Sequence, residues 1–186
     1  MRRREQGDTI IEVVVAFAIF SAVALATMMI INNGVAITQR NLEITLVREQ
    51  VDAQAELLRY IKETNNPIWQ TLISPGRLTA SPVSLSDSCR DALSSGGYYV
   101  KPAISSNLTT TPTTFTLSNF FAKPATYAKI DYSTGATQSQ GIWIQGTRAQ
   151  QKSGAPAAYD FYIHACWDSV GVSVPMTAGT IVRIYE

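Results

Sequence analysis

Histidine is nearly absent from this chain, with one residue in 186, and cysteine occurs only twice. Tetrahedral zinc needs a cluster of Cys, His or carboxylate ligands, and no Cys/His cluster is present. A structural zinc finger is thereby excluded, and a catalytic metal is not expected. There is no G-x-S-x-G, no H-E-x-x-H and no phosphate-binding glycine loop. His164 is the sole general base of the usual kind, and it stands in an alternating strand pattern. We read it as a partly exposed strand residue, not a catalytic one, and expect neither a cofactor nor an enzymatic activity. Charge is also scarce. Charged residues make up 16% of the chain, against about 25% in an average soluble protein. The net charge of +1 gives no surplus directed at nucleic acid and no acidic tail. The length fits one globular domain and one extra element.

What the chain does have is one apolar block. Residues 13–31 read VVVAFAIFSAVALATMMII without a charge. With Ile10 and Ile11 the stretch reaches about 33 Å as a helix, enough for a bilayer core of about 30 Å. A core helix of a soluble protein would show a polar face, and this one shows none. Arg2, Arg3 and Arg4 precede it, which holds the N-terminus in the cytoplasm and sends the rest outside. The next charge after the span is Arg40. A cleaved secretory signal is the competing reading, with Ala24, Leu25 and Ala26 as its small-residue site. The apolar run continues through residues 27–31, however, and cleavage there would leave a greasy new terminus. On hydrophobicity alone a plain uncleaved anchor is the stronger reading, and only the next feature argues against it.

The residues at the membrane edge argue for more. A carboxylate at the start of a span is costly unless paired. In the simplest reading Glu12 sits among headgroups, near a helix N-terminus that favours an anion. Yet a short basic leader, Gly7, Glu12 five residues on and about twenty apolar residues form a specific package. It resembles the class III signal of type IV prepilins and related pseudopilins, over residues 2 to about 64. The resemblance implies that a membrane-embedded prepilin peptidase cuts between Gly7 and Asp8 and methylates the new amine of Asp8. It also implies that Glu12 aids assembly by meeting the terminal amine of a neighbouring subunit. Such a pair at about 4 Å attracts by about 4 kcal/mol before desolvation, at an effective dielectric near 20. The chain departs from the family pattern in having Asp8 where phenylalanine is usual. It also has Asn32, Asn33 and Gly34 where many major pilins carry a proline.

The resemblance implies a pilin-like α+β fold: a leader over 1–7, a long helix over 8–64 that is transmembrane at about 10–31, and a β-rich extracytoplasmic head over 65–186. Residues 32–34 are a weak point, since glycine costs about 1 kcal/mol against alanine, and they mark either simply the membrane exit or a stretch that melts when subunits pack. Beyond Arg40 the helix resumes. Ile44, Val47, Val51, Leu58 and Ile61, with Ala55 filling the gap, follow a 3–4 spacing. Glu43, Arg48, Glu49, Asp52, Glu56 and Lys62 occupy the other faces, and Arg59 and Glu63 are placed for an i,i+4 pair. Pro67 ends the helix. The apolar stripe requires a sheet to cover it.

In the head, turn-rich loops are expected at 74–76, 94–97 and 109–114, with strands at 98–101, 114–121, 127–132 and 142–145. The best strand is 159–167. Tyr159, Phe161, Ile163, Ala165 and Trp167 take one face, and Asp160, Tyr162, His164 and Cys166 the other. A last strand at 180–185 would pair with it across Ala178 and Gly179. The sheet should be mainly antiparallel and lie on the helix. Cys89 and Cys166 form an even count on the outer side, which favours a disulfide over two buried thiols. A bridge would stabilise by roughly 4–5 kcal/mol in the loop-entropy model, and many pilins hold their C-terminal region that way.

The expected role is therefore a structural subunit, of the minor kind, in a type IV pilus-like filament. Its partners would be other pilin subunits through the N-terminal helix, the prepilin peptidase, the assembly platform and the membrane. It would sit single-pass in the cytoplasmic membrane, then in a surface pilus. One alternative is a pseudopilin of a type II secretion or competence machine. Another is a signal-anchored extracellular binding domain that never assembles. DNA binding is disfavoured, since phosphate contacts need clustered charge. The one short basic patch is Arg148 to Lys152, with Trp143 and Tyr159 near it in sequence.

Overall fold

A computed structural model of the chain describes residues 8–64, 66–80, 97–104, 110–116, 121–122, 124–132, 138–149, 154 and 156–186. The elements in chain order are α1 (Asp8–Glu63), α2 (Ile68–Leu72), β1 (Tyr98–Ile104), β2 (Thr110–Thr116), β3 (Phe121–Ala122), β4 (Lys129–Asp131), β5 (Gln138–Gln140), β6 (Ile142–Arg148), β7 (Ala158–Trp167) and β8 (Met176–Tyr185). The protein is an α+β structure with a long N-terminal helix packed on an antiparallel sheet. The chain falls into two compact units, Met1–Asn41 and Leu42–Glu186. The helix is continuous through Asn32, Asn33 and Gly34. The roughly 1 kcal/mol that glycine costs is absorbed by cooperative propagation along a 56-residue helix.

In the second unit the 3–4 spacing does what it predicts. Val47, Val51, Ala55, Leu58 and Ile61 are buried in one core with Phe161, Ile163, Ala165, Trp167 and Val182, and Ile44 packs against its edge. Arg48, Glu49, Asp52 and Glu56 face outward. Arg59 pairs with Glu56 rather than with Glu63, one turn back instead of one turn on. The helix stops before Pro67, as expected. The short α2 that follows was not legible, because five residues show no full helical period. Pro67 at its N-cap has φ −54°, already helical, and the Ile68 amide donates to Asn66 Oδ1 at 3.1 Å. Its Trp69 packs edge-on to Tyr159 at 5.9 Å, under the Lys62 ammonium.

A five-stranded sheet has the order β2-β1-β6-β7-β8, and a three-stranded sheet the order β3-β5-β4. Every pair in the larger sheet is antiparallel, and β3 with β5 is the parallel exception. The chain passes from β5 to β6 at Gly141, where φ is +78° and an added Cβ would lie 2.3 Å from the Cys166 carbonyl oxygen. Only glycine fits there. Two expectations are corrected. Part of the stretch read as a 109–114 loop is β2, because threonine suits a pleated strand, and Pro112 is tolerated on an edge. Ala178 and Gly179 do not form a turn. They lie inside β8, with Gly179 opposite His164, where a Cβ would come within 2.7 Å of the Ile163 carbonyl oxygen. The β7–β8 connection is instead residues 168–175.

One side chain ties helix to sheet. β1 meets β6 only at Tyr98 opposite Ile144, so the next residues of β1 lack a ladder partner on that side. Buried Gln54 replaces the missing strand. Its Nε2 donates to the Val100 carbonyl, and its Oε1 accepts from the Val100 amide, both at 2.9 Å. Gln54→Leu orphans both backbone groups at about 1–3 kcal/mol each. It should therefore lower the unfolding free energy by roughly 2–6 kcal/mol in total. Urea unfolding of the full chain in detergent, followed by tryptophan fluorescence, measures this. A loss below about 0.5 kcal/mol, the scatter of a surface substitution, would refute the role.

Candidate functional site

Chemistry on this chain has two candidate locations, one in each unit. The first is the start of α1. Gly7 lies outside the described residues, and Asp8 opens the helix. Glu12 follows one turn later and is exposed. Beyond it, residues 13–35 are exposed at every position, with Phe17 at 70% and Ile30 at 71%. In water each large apolar side chain so placed forgoes about 1.5–3 kcal/mol of burial. The helix is long and apolar enough to cross a membrane. Its few polar side chains suit that solvent. Ser21 Oγ donates to the Phe17 carbonyl and Thr27 Oγ1 to the Val23 carbonyl, each at 2.8 Å. Both hydroxyl protons are used within the helix, as hydrocarbon surroundings require.

The second location is the face of the sheet turned away from α1. The alternation along β7 predicts the two faces correctly but not their burial. Both are covered, and Asp160, His164 and Cys166 are buried along with Trp143, Gln145 and Thr147 of β6. His164 is thus not partly exposed. It is 9% accessible, and its ring stacks 5.2 Å from Trp143, directly opposite on β6, and 6.2 Å from Tyr162. Its Nε2 is buried without a hydrogen-bond partner. Burial pushes its pKa below the usual imidazole range. Among the described residues its ring contacts are with these aromatic side chains, and neither pairs it with a nucleophile or a carboxylate.

Asp160 is held differently. Arg183 Nε and Nη2 donate to its two carboxylate oxygens at 2.6 and 2.7 Å. Those bonds hold the Asp160 carboxyl below the usual range. Trp167 Nε1 donates to Glu43 at 3.0 Å, a helix-to-sheet contact that no sequence pattern marked. Cys166 is buried and is not a free thiol. Cys89 lies outside the described residues. Among the described residues no group of His, Cys, Asp and Glu could hold a metal. Of the short basic patch read from the sequence, Arg148 is among the described residues. Arg148 stands opposite Tyr159, while Trp143 sits near the other end of β6, buried against His164. Lys152 is outside the described residues, and Arg183 is bonded to Asp160.

The chain matches no protein-family model, and neither curated proteins nor solved structures include a significant match to it. Function is therefore argued from these residues.

His164 and Asp160 separate in pH. The fold disfavours protonated His164, so the unfolded chain takes up that proton first. Its contribution is complete above the unfolded value of about 6.5 and is lost as pH falls toward the lower folded value. The Asp160 contribution is complete above about 3.9 and is lost only as pH falls through its depressed folded value. The urea midpoint should accordingly begin to fall below about pH 6.5. His164→Phe should flatten that first decline, and a decline of unchanged steepness in the variant would assign it to another group.

Proposed function

We propose that this chain is a minor subunit of a type IV pilus-like filament, made as a precursor and cut after Gly7. One observation carries the reading. A single helix of 56 residues has a first half that is apolar and uncovered at every position, and a second half whose one stripe is buried under an antiparallel sheet. That division, together with the Gly7 and Glu12 spacing, is what a subunit needs if it waits in a membrane and then packs by the same helix.

The physics of assembly follows. Moving an apolar helix from lipid into a bundle of like helices changes its apolar environment little. Hydrophobic burial alone therefore sets neither partner nor stagger. Charge can do both. Glu12 is the one charge in residues 9–39, and in a low-dielectric bundle it needs a cation. Cleavage after Gly7 would supply one, the amine of Asp8 on a neighbouring subunit. The arginines of the leader keep the N-terminus inside until then, and the second unit folds outside, where a half-cystine at Cys166 suits an oxidising compartment.

Two substitutions separate processing from assembly. Glu12→Ala should leave the mature mass unchanged, starting at Asp8, while filament incorporation falls severely. Filaments at the parental level would refute the assembly role of Glu12. Gly7→Glu should leave an uncleaved chain with residues 1–7 attached, read by intact mass from the native membrane. Loss of the leader in that variant would refute cleavage at Gly7. A parental chain that retains Met1 would make the helix a plain anchor.

A further inference from the structure

β7 runs against α1 in the second unit. Its last residue, Trp167, lies beside Glu43, to whose carboxylate the indole donates at 3.0 Å. Toward its other end, Tyr159 and Phe161 pack on Trp69, which sits under Lys62 in the last turn of the helix. The connection from β7 to β8, residues 168–175, therefore leaves the sheet at the end of the second unit that α1 enters at Leu42. A groove lined by Ile44, Trp167 and Met176 puts the start of β8 at the same end.

This connection exposes what a turn usually does not. The Val172 amide donates to the Ser169 carbonyl at 3.4 Å, and Gly171 has φ +75°. That is a tight turn with glycine where a positive φ is required. Turn corners favour Pro, Gly, Asn, Asp and Ser. Here Val170 stands at the corner, 61% exposed, and Val174 follows at 55%. Asp168 is the one charged residue in 168–175. A single exposed aliphatic side chain is ordinary. These are grouped: among the described residues of the second unit the exposed large aliphatics are Leu42, Val170, Val174 and Ile181, and the first three lie at this end.

The chain itself says what lies near that end. Glu43 is twelve residues beyond Ile31, the last of the apolar run, which is about 18 Å of helix. Val170 is three residues beyond Trp167, a reach of about 10 Å at full extension. The difference of about 8 Å matches the depth of one headgroup layer, about 5–8 Å. We propose that the β7–β8 connection is a lipid-contacting loop. With α1 in a bilayer, Val170 and Val174 settle among the headgroups of the leaflet from which the helix emerges, and their apolar surface leaves water there. The contact is apolar, so it is indifferent to lipid charge. It rests on the membrane reading of α1 and not on the filament reading.

The full chain is reconstituted in phosphatidylcholine vesicles that carry bromine near the ester end of the acyl chains, a short-range quencher of indole. Val170→Trp and Val174→Trp each place a reporter on the loop. Tyr185→Trp places the same ring at the exposed far end of β8, opposite Ala158. Each variant is first matched to the parental urea midpoint in detergent, and Val174→Trp serves where Val170→Trp shifts it. Emission from the loop sites should move to the blue and be lost to the bromolipid. Tyr185→Trp should lose no more than the parental chain. Adding phosphatidylglycerol should change neither result. Flotation of the parental chain with the vesicles after a carbonate wash reports the span separately. A chain that does not float overturns the span, and the proposal with it. A chain that floats while its loop sites behave like Tyr185→Trp overturns the loop contact alone. Quenching that appears only with phosphatidylglycerol overturns the apolar contact and assigns it to basic side chains.

Discussion

Burial of one helical stripe under antiparallel strands holds the second unit together. Val47, Val51, Ala55, Leu58 and Ile61 supply the helix side, and Phe161, Ile163 and Ala165 at the centre of the sheet receive them. The strands themselves are short of alternatives. The segments between them are rich in Ser, Thr, Gly and Pro and offer little apolar surface. Without the helix the inner face of β6 and β7 would lie open, and a sheet with one bare apolar face is an aggregation template. Sheet and helix are therefore one cooperative object, although they are separated in sequence.

That dependence explains where the polar groups sit. A helix laid on a sheet buries backbone wherever strands diverge, and each buried N–H or C=O must find a partner. β1 and β6 separate after a single paired position. Gln54 serves the opened edge at Val100 from the middle of the apolar stripe, and the Gln50 carboxamide oxygen lies 3.4 Å from the Ile130 amide. Glu43 does the same for the Trp167 indole. These side chains fix the rotation of the helix on the sheet, since apolar contacts alone would tolerate a small roll. The outer face follows another logic. Its carboxylate is satisfied by a two-pronged arginine, while His164 is sandwiched by rings with a nitrogen unserved. The first arrangement is robust down to acid pH, and the second is not.

These contrasts also mark what a sequence can disclose. The 3–4 spacing of residues 44–61 and the alternation of 159–167 are direct projections of helix and strand geometry, and the structure follows both. Gln54 is invisible to that method. A glutamine inside an apolar stripe counts against the pattern, and its purpose exists only once Val100 is beside it. Ala178 and Gly179 resemble a turn because glycine usually marks one. Here the glycine is needed because the Ile163 carbonyl passes too close for a side chain. The threonine run at residues 109–114 has loop composition but strand geometry, which register with β1 decides. His164 was placed on the correct face and given the wrong exposure, since alternation reports sides and not what covers them. At the N-terminus the situation is reversed. The spacing of Gly7, Asp8 and Glu12 is all that carries the proposed processing site: Gly7 lies outside the described residues, and Glu12 is exposed in the first turns of α1.

Charge scarcity is what gives that spacing its force. Along a helix with uniform apolar surface, sliding a neighbour by one turn exchanges like for like, so packing energy scarcely distinguishes registers. Hydroxyls often break such a tie, but here Ser21 and Thr27 are already bonded to their own backbone. Glu12 alone in residues 9–39 can make one register differ from the next by kilocalories. On the filament reading, the uncut leader would offer Glu12 of a neighbour three arginines at successive positions, and so several competing pairings. Removing residues 1–7 leaves a single amine at a single height. On that reading cleavage would create specificity as well as release the subunit.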